Sequence, residues 1–216
     1  MWRFTEEADG GSDQQLQYLQ AFLRFATKDE LDIVKGLFDG SRTLEGREID
    51  TDLRWEIVAA LASLGAMDAA GVDEVLATDD TQNGRKAALT AKAAIPTAEA
   101  KRDAWEKTVG RDELANESIT AVTVGFTRSS EDLLEPYTVP YFDMLNEVWK
   151  SRSSEIANRL IKGYFPGVYP HQSVVDRADS WLAENIEAVY GLRRPIMEGR
   201  DDAARALRVQ EADVEG

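Results

Sequence analysis

The sequence predicts an all-α protein built as an α-solenoid of antiparallel helix hairpins. Three observations predict it. Apolar residues recur at the spacing of one helix face in segment after segment. Capping residues precede these segments, and Gly or Pro follows several of them. The connections are short, so neighbouring helices are expected to run antiparallel and to bury one face each on the next. No clean sequence repeat accompanies the pattern, so any repeat is structural.

The elements follow in order. Residues 1–11 are polar and contain Gly, and are read as a flexible lead-in. Ser12 or Asp13 caps a first helix with Leu16, Leu19, Leu23 and Ala26 as its stripe. Thr27 and Glu30 fit a capping box for a second, which buries Leu31, Val34, Leu37 and Phe38 and stops at Gly40. Ser41–Ile49 is the one long non-helical stretch, with a weak hairpin signal at Glu45-Gly46. Asp50, Thr51 and Asp52 then offer three caps for the organising helix, DTDLRWEIVAALASLG. Leu53, Ile57, Ala60, Leu61 and Leu64 form one face of it, Trp55 sits beside that stripe and is expected to pack against the next helix, and Gly65 supplies the left-handed stop.

Further helices are expected over Ala69–Ala77, from Asp79–Thr81 to Ile95 with Pro96 as breaker, and over Ala98–Val109. Asn116 caps one carrying Ile119, Val122 and Phe126. Glu131–Trp149 reads as two short helices divided at Pro140. Ser153 or Ser154 caps Glu155–Lys162, an aromatic loop covers Phe165–Pro170, and Val174–Leu182, Ile186–Glu198 and Asp201–Val209 complete the set. Gly199-Arg200-Asp201-Asp202 reads as a helix–helix turn, and 211–216 as a tail beyond a helical domain of 12–210.

Composition narrows the function. Forty acidic residues against 25 basic ones give a formal charge of −15 over 216 residues. Phosphate neutralisation needs clustered Lys and Arg, so nucleic acid is not an expected partner, and neither is an anionic membrane surface. No apolar run reaches the length of a membrane span. The start lacks a basic n-region and an apolar h-region, so it does not read as a signal peptide. The chain has no Cys, which excludes disulfides and thiolate metal sites and fits a reducing compartment; the expected location is cytoplasmic.

Five stretches carry a resemblance. They are SDQQLQYLQAFLRFA at 12–26, DTDLRW with its alanine-rich helix at 50–65, PTAEAKRDAW at 96–105, YFDMLNEVWKSRSSEIANRLIKGYFP at 141–166, and LRRPIMEGRDDAARALRVQ at 192–210. In this order they resemble the C-terminal domain of the aminopeptidase N family, zinc metallopeptidases of the gluzincin type, in its actinobacterial form. The resemblance implies a right-handed superhelix of HEAT- or armadillo-like hairpins. It also implies a partner, the catalytic domain of the same polypeptide, on which this domain folds back to close a chamber for peptide substrates.

Zinc in that family is held by H-E-x-x-H and a further Glu, with the motif Glu as general base, and G-x-M-E-N binds the substrate amino terminus. This chain has a single histidine, His171, and no G-x-M-E-N. No catalytic or metal residue of the family therefore maps onto it, and the fragment alone is expected to be inactive and without cofactor. His171 is expected to cap or to make a surface contact. Glu155, Asp176, Asp179, Asp201 and Asp202 lack calcium-loop spacing and read as caps and dipole partners. Arg54, Arg152 and Arg159 lie on or near the matching stretches and are the candidates to face the chamber or the neighbouring domain. Taken singly, each is more simply an exposed helix arginine paired with a local carboxylate. The competing reading of the whole chain is a free-standing helical-repeat scaffold that binds a protein or peptide on its concave face.

Overall fold

Local rules set most helix boundaries in the computed structural model, which describes residues 1–111 and 114–215. Among these residues the fold is helical, and the β contact is an isolated bridge between Leu44 and Arg47. No described helix is long and apolar enough to cross a membrane. The chain divides into two compact units, Met1–Asp103 with Val124–Ser129, and Ala104–Thr123 with Ser130–Gly216.

The first unit opens with α1 (Trp2–Glu7), α2 (Asp13–Phe25) and α3 (Leu31–Asp39). Within residues 1–11, Trp2–Glu7 is helical. Thr5 is fully buried, and Trp2 packs its ring 5.1 Å from that of Phe22. Ser12 caps α2 by accepting from Gln15 N–H, and Thr27 and Glu30 form the expected capping box. The hairpin stretch holds together through Gln15, whose buried amide accepts from Gly11 N–H and donates to the Glu45 carbonyl.

α4 (Thr51–Ser63) begins where Asp50 accepts from Leu53 N–H. It ends in a Schellman motif: Ala66 N–H donates to Leu61 C=O and Gly65 N–H to Ala62 C=O, with Gly65 at φ 74°. The expected face of Leu53, Ile57, Ala60 and Leu61 packs with Leu19, Phe22, Leu23, Val34 and Leu37. The opposite face is buried too. Trp55, Val58, Ala59 and Ala62 pack with residues of α5 (Ala69–Thr78) and α6 (Gln82–Ala94), where their small side chains permit close approach. Asp68 and Thr81 cap those two helices. α7 (Ala98–Trp105) places Lys101 fully inside the first unit, its ammonium donating to the Ala93 carbonyl in the last turn of α6.

In the second unit a π-turn over Glu106–Gly110 extends α7, closed by Arg111 N–H on Glu106 C=O. α8 (Asn116–Phe126), whose residues from Val124 on belong to the first unit, α9 (Glu131–Leu134) and a 3₁₀ turn over Glu135–Tyr137 precede α10 (Thr138–Ser151). The break in this stretch therefore falls at Pro136, not Pro140. Pro140 sits in the first turn of α10, where its missing N–H has no intrahelical partner to lose. α11 (Ser154–Gly163) is capped by Ser153, and α12 (Gln172–Glu184) follows.

α13 runs unbroken over Tyr190–Glu215. The two final helices expected from the sequence are thus one, and Gly199 is not a turn. Gly199 serves close approach instead: a Cβ there would lie 2.6 Å from the Phe165 ring. Arg200 anchors the same turn on α12 by a bidentate pair with Asp179, at 2.8 and 2.9 Å. Pro195 lies in the second turn, where only the Gly191 carbonyl loses its intrahelical donor.

Candidate functional site

A concavity lies within the first unit. α4 presents Asp52, Trp55 and Glu56 on one side, α6 adds Thr90, α2 adds Gln20, and Arg128 enters from the segment after α8. Together they border a groove of about 420 Å³. The spacing 52, 55, 56 puts the two carboxylates and the indole on one helix face. Asp79 fixes the indole by accepting from Trp55 Nε1 at 2.8 Å.

The charges of the groove are only partly matched. Burial pushes the Glu56 carboxyl above its ordinary range, while a 2.9 Å hydrogen bond from Gln20 Nε2 and the field of Arg128 oppose the shift. Burial pushes the Arg128 guanidinium down to about 10; Arg24 adds to that shift and Glu56 resists it. Arg128 Nε and Nη1 are shut off from solvent without a hydrogen-bond partner in the protein.

The arginines singled out in the sequence are distributed over both units. Arg54, in the first, lies 4.4 Å over the Phe38 ring and donates to the Phe38 carbonyl. Arg152, in the second, donates to the Val109 carbonyl. Arg159, also in the second, donates to Thr120 Oγ1 at 2.7 Å and pairs with Glu155 at 3.0 Å. Local carboxylate pairing thus holds for Arg159, while Arg54 takes a backbone carbonyl. His171 makes no side-chain cap; its Nε2 lies 2.6 Å from Glu131, and both side chains are half exposed.

His171 and Glu131 supply two donors, and no group of three His, Asp or Glu side chains among the described residues is arranged to hold a metal. A four-coordinate zinc site needs at least three protein ligands, so these residues do not fit zinc. The sequence reading missed Arg128 and Glu56. Glu56 reads there as one more polar position on α4, and Arg128 lies in the non-periodic stretch TRSS.

Residues 1–205 match the family described as ERAP1-like C-terminal domain. The chain is also similar to Aminopeptidase N of Streptomyces lividans, 42% identical over 209 residues, or 96% of this chain. It spans 24% of that protein's length. The likeness carried by five separate stretches thus extends over nearly the whole sequence, and the chain belongs to the ERAP1-like C-terminal domain family, as the C-terminal domain of an aminopeptidase N-like polypeptide.

Proposed function

We propose that this domain serves a zinc-dependent aminopeptidase that removes N-terminal amino acids from peptides. It closes over the catalytic domain of the same polypeptide and shapes the chamber in which substrate is held. The observation that carries this reading is the 42% identity to a protein named Aminopeptidase N, along 96% of this chain but only 24% of that protein. With one histidine in 216 residues, the chain contains no H-E-x-x-H, so the zinc ligands of such an enzyme lie elsewhere in its polypeptide. A domain without catalytic groups acts on turnover by positioning substrate and excluding water.

Three finer expectations belong to the same proposal. Arg54, Arg152 and Arg159 are its candidates for the chamber wall or the interdomain contact. The helices form a right-handed superhelix of antiparallel hairpins, a reading supported by the packing of α5 on α6 and of α12 on α13 across short connections. The working location is the cytoplasm, in keeping with a chain that has no Cys.

The test is deletion of this domain from the full-length enzyme, followed by zinc analysis and assays on a dipeptide and a longer peptide. The expected result is retained zinc with impaired turnover or altered length preference, partly restored when the 216-residue chain is added back. A soluble truncated enzyme with unchanged rates on both substrates would sink the proposal and favour a free-standing scaffold.

A further inference from the structure

We propose that the groove bordered by α2, α4, α6 and Arg128 binds a small zwitterion, a free amino acid or short peptide. Its carboxylate sits on the Arg128 guanidinium and its ammonium group between Asp52 and Glu56. The first observation is the state of Arg128. Its guanidinium lines the groove, and its Nε and Nη1 are closed to water without a hydrogen-bond partner in the protein. A guanidinium held this way is costly unless an anion answers it, and Arg24 nearby sharpens the need.

The second observation is what shares the groove. Asp52 and Glu56 stand one helical turn apart on α4 and line the same cavity. Their charges repel a simple anion, and Arg128 repels a simple cation. A ligand carrying both signs meets both ends. The hydrogen bond from Gln20 Nε2 orients one Glu56 oxygen, and the Trp55 indole gives an apolar wall for a side chain. The volume, about 420 Å³, lies in the range of small-molecule sites.

This inference does not depend on the aminopeptidase reading, because binding is measured on the chain alone. Were both to hold, the ligand is of the class that such an enzyme releases. The experiment is an NMR titration of the 216-residue chain, following the Trp55 indole resonance, with leucine, leucyl-leucine, N-acetyl-leucine and leucinamide. Leucine or leucyl-leucine is expected to shift that resonance, and blocking either end to weaken binding by about tenfold or more. Arg128→Gln is expected to weaken the free ligand about as much as amidation does. Glu56→Gln is expected to abolish the preference for leucine over N-acetyl-leucine while keeping the preference over leucinamide. Glu56→Gln decides the matter should Arg128→Gln fail to fold. Absence of binding at millimolar ligand, equal affinity for blocked and free forms, or an unchanged preference in Glu56→Gln would each overturn the proposal.

Discussion

The two units are held together by different chemistry. The first is built on aliphatic and small side chains stacked on both faces of α4, with Leu53, Ile57 and Leu61 on one side and Val58, Ala59 and Ala62 on the other. The second relies on aromatic rings with polar tips. Tyr141 is fully buried and donates to the Ile161 carbonyl at 3.0 Å. Tyr164 meets Thr108 Oγ1 at 2.6 Å and reaches the Ala104 carbonyl at 3.2 Å. Trp105 stacks edge-on against Tyr164, with ring centroids 4.9 Å apart. An aliphatic core tolerates any arrangement that fills its volume, whereas a ring with a buried hydroxyl also requires a particular acceptor.

The largest expected effect tests the first half of that contrast. Leu61 is 3% exposed at the centre of the α4 cluster. Leu61→Ala removes the packing and leaves a cavity, and is expected to cost about 2–5 kcal/mol in urea denaturation. A cost well under 1 kcal/mol would mean that α4 does not organise the unit.

A smaller effect is expected from Tyr141→Phe, which keeps the ring and removes only the hydroxyl. Ile161 lies in the last turn of α11, where carbonyls have no intrahelical donor, so the change leaves a buried acceptor unpaired. The expected cost is about 1–3 kcal/mol. A negligible cost would show that the second unit is held by ring burial alone and erase the distinction between the units.

The same contrast explains what could be read in the sequence. Caps at Ser12, Thr27, Asp50, Thr81 and Ser153 were legible because donor and acceptor lie within three residues. The aliphatic face of α4 was legible from its period, and the Trp55 side from residue size. The end of the chain was not. Gly199 and Pro195 look like breakers, but the Phe165 ring against Gly199 and the Arg200–Asp179 pair keep α13 continuous. The groove was illegible for a similar reason: Gln20, Glu56 and Arg128 come from three distant stretches, and nothing local marks them as neighbours. Sequence periodicity reports burial against a face, not which polar groups converge there.

The last prediction separates the units by pH. Burial in the first unit pushes the Lys101 ammonium down to about 7 from an ordinary 10.5. Between those values the unfolded chain carries a proton on Lys101 that the folded chain has released, so stability rises with pH and is lost as pH falls toward 7. Arg128, pushed down to about 10, acts in the same direction at higher pH. The buried phenols of the second unit behave oppositely. Burial raises Tyr141 and Tyr164 well above their ordinary 10.0, so above that pH the unfolded chain loses protons that the folded chain keeps, and stability falls. Urea midpoints measured from about pH 7 to 11 should therefore climb and then turn down. Lys101→Met should flatten the climb and leave the downturn, while Tyr141→Phe should blunt the downturn and leave the climb. Absolute stability is the wrong readout for Lys101→Met, because the change also takes a donor from the Ala93 carbonyl at the end of α6. A climb between about pH 7 and 10, below the range where Arg128 acts, that survives in Lys101→Met would show that Lys101 stays charged in the folded chain, held so by the Ala93 carbonyl and by the Phe126 ring 5.7 Å away.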